Sequence, residues 1–191
     1  MRKPIRLTLS AALMVAAAAA HAADYAIDTK GAHAFIQFHI KHLGYSWLVG
    51  RFNTFDGEFS YDENNPQAAR ISVNIDPASV DSNHAERDKH LRSDDFFDVE
   101  RYPEIRFTST RYQPDGAMQG MLYGNLTMHG VTTPVVIKVT NIGEGEDPWG
   151  GYRRGFYGTT SFKMKDFNIK KDLGPASQTV ELMLGVEGIR Q

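Results

Sequence analysis

The chain has 191 residues, of which 41% are hydrophobic and 23% charged, with a formal net charge of −2 and no cysteine. One domain accounts for that length, and an aromatic content of 11% is too high for a disordered chain. The composition excludes disulfides, thiolate metal sites, cysteine nucleophiles and covalent c-type haem, and it lacks the cationic surplus that a nucleic-acid backbone demands.

Arg2, Lys3 and Arg6 precede an almost wholly apolar run, Leu7 to Ala20, which is shorter than the roughly 20 residues of a spanning helix. Ala20-His21-Ala22 has the A-x-A form of a cleavage site. The pattern predicts a signal peptide over 1–22 and a mature domain over 23–191, exported to the periplasm or secreted.

The mature part alternates with a period of two, the mark of half-buried strands. His33 to His42 puts Ala34, Ile36, Phe38 and Ile40 on one face, with Phe35 the exception on the wet face. Phe55, Gly57, Phe59 and Tyr61 follow, then Ile71, Val73 and Ile75, then Ile105, Phe107 and Ser109. Leu122 to Met128 and Val135 to Val139 flank the turn His129-Gly130, with Asn141 read as a frayed end. Phe156, Gly158, Thr160, Phe162 and Met164 share a face, and Val180, Leu182, Leu184 and Val186 close the series. Between the third and fourth runs, Asn83 to Arg92 reads as a short surface helix, capped by Asn83 with Glu86 three residues on. About eight antiparallel strands result, with no helical alternation to suggest a parallel sheet.

Such a set buries its apolar face in a sandwich or a closed barrel. Glycines beside aromatics on the inward parity favour a barrel, whose interior is either filled by those aromatics or hollow enough for one small ligand. Phe38, Ile40, Phe55, Phe59, Phe107, Leu126, Phe156, Phe162 and Leu182 are the inward residues expected to line it. His42, on the same parity at a strand end, stands where a ligand head group would meet the mouth or where a loop carbonyl would accept its proton. Trp47 and Trp149, beside turn glycines, either gate a cavity mouth or plug it.

Metal chemistry is poorly served. His84 with Asp88, and Glu86 with His90, are two-ligand pairs at i,i+4 spacing, and zinc needs three or four ligands. No metal site and no cofactor is expected. Gly143 to Asp147 is too acidic to cradle phosphate, though its carboxylates suit calcium. Asp81, Asp88, Asp94 and Asp95 offer carboxylates for acid–base work only if the fold pairs them.

Several stretches together resemble the YceI-like family of exported, lipocalin-like polyisoprenoid-binding proteins. They are Ala23-Asp24-Tyr25, His42 to Trp47, Phe55-Asp56-Gly57, Asn83 to Ser93, Asp147 to Gly151 and Asp166 to Ser177. The resemblance spans the mature chain. It implies an all-β, extended eight-stranded antiparallel barrel that holds a long isoprenoid of quinone-precursor or lipid-carrier type, a binding protein rather than an enzyme, with an apolar isoprenoid lipid as partner. The rivals are a periplasmic hydrolase or isomerase acting on a lipid head group through His42, His84 or His90, and a solid-barrel interaction protein of the stress response.

Overall fold

The computed structural model describes residues 22–191, so the predicted signal segment through His21 lies outside the described residues. Eleven strands form: β1 (Ala23–Ile27), β2 (Phe35–His42), β3 (Ser46–Phe52), β4 (Phe55–Tyr61), β5 (Arg70–Ile75), β6 (Val80–Asp81), β7 (Ile105–Asp115), β8 (Gln119–Met128), β9 (Val131–Glu146), β10 (Tyr152–Lys163) and β11 (Thr179–Arg190). Helix α1 (Ala85–Arg92) lies between β6 and β7. Among the described residues no helix is long and apolar enough to cross a membrane.

Eight strands close an antiparallel barrel in the order β1-β4-β5-β7-β8-β9-β10-β11, the last returning to β1. The remaining three continue the early strands past a break. β11 pairs with β1 through residues 188–190 and with β2 through 180–185, so β1 and β2 are successive parts of one path. β3 pairs with β2 and leads into β4, and β6 pairs with β3 after β5 has paired with β4. The barrel thus has two ends. One carries the β9–β10 turn, the other the β2–β3 hairpin, α1 and the connection 164–178.

The sequence reading found eight strands and missed β1, β3 and β6. In β3 the outer-face Trp47 and Val49 are exposed while Leu48, Gly50 and Phe52 face inward, so apolar residues stand on both faces and no alternation marks the buried side. A Cβ on Gly50 would collide with the Phe38 ring of the paired strand, and one on Gly124 with the Phe107 ring, so at both positions an aromatic lies across the missing side chain. β9 runs on to Glu146, and Asn141 is no frayed end: its side-chain Oδ1 is buried without a hydrogen-bond partner, next to the bulge at Gly155/Phe156 pairing.

The helix is also revised. Its N-cap is His84, whose Nδ1 accepts from the Arg87 amide, whereas Asn83 takes a left-handed φ of 60°. The predicted i,i+4 pairs do not form. Asp88 is buried and accepts from the Ser82 amide and hydroxyl, and His90 donates to Asp95 at 2.6 Å. α1 is therefore anchored through Asp88, with Leu91 turned to the barrel interior.

Candidate functional site

Inward side chains of the barrel enclose two apolar chambers in series. The first, about 140 Å³, runs through the closed ring. Phe55, Phe59, Phe107, Leu126, Phe156 and Leu182 all line it, with Gly158 leaving room opposite Leu184. The second, about 320 Å³, lies at the hairpin end and is lined by Phe38, Ile40, Phe162 and Leu182 together with His42. Leu182 borders both. All nine inward residues named from the sequence therefore border one chamber or the other, which period-two alternation makes natural once the sheet closes.

The aromatics do not fill this space because they pack against one another along the wall. Tyr25 stacks on Phe59 at 4.7 Å between centroids, and Phe156 meets Phe59 and Tyr61 edge-on or tilted at 5.6 Å. In the second chamber Phe52 joins Phe38 at 5.9 Å and Phe97 at 5.5 Å.

Behind the Tyr61 and Phe156 end of the first chamber lies a buried arginine that the sequence analysis does not single out. Arg154 shares the inward parity of Phe156 and is only 2% exposed. Its guanidinium lies 4.2 Å from the Tyr61 centroid and 6.0 Å from that of Phe156. Glu63 pairs with it at 2.6 Å and Glu144 also contacts it, while its Nε has no hydrogen-bond partner. An arginine on an otherwise apolar parity was the available signal. Nearby, Tyr112 is buried in the chamber wall, and burial, with the Tyr61 phenol adding, pushes its hydroxyl pKa above the ordinary tyrosine value.

The second chamber owes much of its wall to segments with no periodicity. Leu91 of α1, Phe96 and Phe97 after it, and Met164, Ile169 and Leu173 beyond β10 complete it. The exposed members of its lining are Lys41, His42, Leu43 and His90, which mark the opening. His42 sits on that rim, exposed, and makes no side-chain hydrogen bond among the described residues. Neither tryptophan gates or plugs a chamber: Trp47 and Trp149 are 48% and 78% exposed on opposite ends of the barrel.

The carboxylates that suggested acid–base or calcium chemistry have other partners. Asp81 is held below the usual carboxylate range chiefly by the Asn83 amide, and Asp95 by His90 and Lys171. Asp147 accepts from the Trp149 and Gly151 amides and from Arg153, which lowers its pKa. One cluster, Asp28, His33 and Glu187, has metal-ligand proximity, but Arg153 already sits in it, 2.7 Å from Asp28 and 2.6 Å from Glu187. This network fastens the β1–β2 break to the strand end opposite it, on the outside of the barrel.

The model of the YceI-like domain matches residues 25–188. A UPF0312 protein of Pseudomonas aeruginosa is 60% identical over 97% of this chain and 96% of its own length. A UPF0312 protein of Shewanella denitrificans is 56% identical over the full length of both chains. Among solved structures, the Campylobacter jejuni YCEI protein is similar at a TM-score of 0.72 and 29% identity, covering 80% of this chain and 90% of that one. Burkholderia cenocepacia BcnA gives 0.76 at 22% identity over 84% and 98%. A polyisoprenoid binding domain from Saccharophagus degradans gives 0.63 at 17% identity over 90% and 100%. The last two are likenesses of fold.

Proposed function

The chain belongs to the YceI-like family, and from that premise we propose that it binds a long-chain polyisoprenoid lipid in its barrel lumen and keeps it out of water in the periplasm. The observation that carries this reading is the pair of apolar chambers meeting at Leu182, an elongated enclosure open at the hairpin end. The similarity in fold to a polyisoprenoid binding domain supports the same reading.

Sequestration needs no reacting group. Each CH₂ moved from water into such a lumen contributes about 0.8 kcal/mol. Affinity then grows with chain length, and selectivity rests on lumen shape and on the few polar groups at the two ends. Phe55, Phe59, Phe107, Leu126 and Phe156 hold one part of the chain, and Phe38, Ile40 and Phe162 the other, with Leu182 between them and His42 at the exit.

Protein purified without detergent from its native host is expected to release a stoichiometric isoprenoid into an organic extract, identified by mass spectrometry. An extract empty of any apolar molecule, together with no response to added polyprenols or prenylquinones, would reject the reading. The same preparation tests export: its N-terminal residue is expected to be Ala23, and a chain beginning at Met1 in a membrane fraction would refute the signal peptide.

A further inference from the structure

The β2–β3 hairpin carries large side chains that stand mostly in water, at or outside the rim of the second chamber. Its connection is the three residues Leu43-Gly44-Tyr45, in which Leu43 and Gly44 are the centre of a turn with φ values of 53° and 83° and the Tyr45 amide donates to the His42 carbonyl. A hairpin turn with both central residues left-handed favours asparagine then glycine, because a branched side chain crowds the backbone there. Leucine occupies the first position nonetheless and is 59% exposed. Tyr45 is 89% exposed, and Trp47 and Val49 project from the outer face of β3. A strained leucine with most of its surface in water gains little from the rest of the chain, and residues held in costly backbone conformations cluster at functional sites.

The chemistry of the patch identifies what it meets. Tryptophan and tyrosine next to an aliphatic tip and flexible cations form the pattern of side chains that settle at the boundary between lipid head groups and acyl chains. Lys41 supplies one cation, its ammonium 5.5 Å from the Trp47 ring centre, and His39 lies against the same indole at 6.1 Å. No carboxylate occurs between Asp28 and Asp56, a segment that holds Lys30, Lys41, Arg51 and three histidines, although the chain as a whole is net negative. The charged and titratable residues bordering the adjacent chamber are Lys41, His42, Arg87 and His90, all basic. That charge complements an anionic lipid surface rather than an acid-poor protein face.

We infer that the β2–β3 hairpin is a bilayer-docking element: Leu43, Tyr45 and Trp47 enter the interface of an anionic membrane and bring the opening of the second chamber against it. Lys41, His42 and Leu43 belong at once to the docking patch and to the rim of the chamber, so an apolar chain leaving the bilayer beside Leu43 enters the lumen without crossing water. Docking is peripheral, since only the turn and one strand face are apolar. It is separable from cargo binding, because the docking side chains point away from the lumen or stand at its rim.

The two tryptophans give the test an internal control. Trp149 is even more exposed than Trp47 but sits in the β9–β10 turn at the other end, with Arg153 near its ring. The processed protein, its N-terminus verified by mass so that the run 7–20 is gone, is mixed with phosphatidylethanolamine–phosphatidylglycerol vesicles that contain a brominated-chain lipid. Trp47 fluorescence, read in Trp149→Phe, is expected to be quenched, and Trp149 fluorescence, read in Trp47→Phe, is not. Leu43→Asn is expected to weaken vesicle partitioning about tenfold, in line with one leucine withdrawn from an apolar phase. It is also expected to raise the melting temperature by relieving the turn, which separates docking from folding damage. Tyr45→Ser, on a fully exposed side chain, should weaken partitioning with the melting temperature unchanged. Equal quenching of both tryptophans, no quenching of either, or partitioning indifferent to both substitutions would overturn the proposal. A Trp47 protected instead by concentration-dependent dimerisation would assign the patch to a second copy. None of these outcomes bears on whether the lumen holds a lipid, which the organic extract reads separately.

Discussion

Phe156→Trp is expected to remove most of the stabilisation that a long isoprenoid gives the wild-type protein, while the ligand-free variant melts close to the ligand-free wild type. The phenyl ring lies on the wall of the 140 Å³ chamber, edge-on to Phe59 and flanked by Tyr61. A larger indole at that position takes up chamber volume, since the Phe156 ring borders the chamber while Phe59, Tyr61 and the Arg154 guanidinium already pack against it. In a filled core the same change overpacks and costs about 1–3 kcal/mol. In a hollow one it consumes empty volume and costs little. A ligand at a hundredfold excess over its Kd stabilises the folded state by about 2.7 kcal/mol, which for a chain of this length raises Tm by roughly 5–10 °C. The wild type should show that rise on addition of a polyprenol or prenylquinone, and Phe156→Trp should show little of it. Equal rises would mean that Phe156 does not border the bound chain. A variant that melts far below the wild type in the absence of lipid would mean that the chamber is not available space.

Acid should expose the second large effect, at Asp28. Hydrogen bonds from His33, then from Arg153 and the Gly31 amide, hold its carboxyl down to about 2 from an ordinary 3.8. Because the folded-state value is depressed, the contribution to stability is complete above the unfolded value and disappears as pH falls through the folded one. That window runs from about pH 5 to below pH 2, and the contribution is about 2 kcal/mol. Denaturant midpoints measured at steps across that window should fall more steeply for the wild type than for Asp28→Asn, whose amide does not titrate. Parallel pH profiles for the two proteins would remove Asp28 from the acid limb. Asp81, Asp95 and Asp147 are also held below their ordinary values, so acid should destabilise both proteins, and the difference between the curves isolates Asp28.

Much of the lumen is legible in the sequence. Alternation is a local property: in a pleated strand the side chain at i+2 returns to the same face whatever lies across the sheet. Phe38, Phe59, Phe156 and Phe162 therefore announce a common face from three separate segments. Where a strand breaks that rule, the reading failed. β3 is missed because Trp47 and Val49 turn outward while Leu48 and Phe52 turn inward, so both faces are apolar and the alternation is hidden. Local capping chemistry also misled at α1, where Asn83 with Glu86 fits the capping pattern but the cap is His84, a residue type that pattern does not favour. The choice fell to His84 because Asp88 was needed for Ser82, a contact that only the arrangement of β6 against the helix creates.

Sequence by itself determined that these are strands, which face of each is apolar, and that one irregular segment interrupts them. Whether that face encloses a ligand-sized space was beyond it. Empty volume is the small difference between the space a closed sheet surrounds and the summed volume of the side chains that enter it, and both depend on every strand at once. Tertiary structure alone decided that the aromatics stack along the wall, that Leu182 stands between two chambers, and that Arg154 is buried against Tyr61. It also drew Leu91, Phe96, Phe97, Met164, Ile169 and Leu173, far apart in the chain and without a period, into the wall of the larger chamber. Such residues carry no local signal, because their burial is imposed by loops that close over the barrel end.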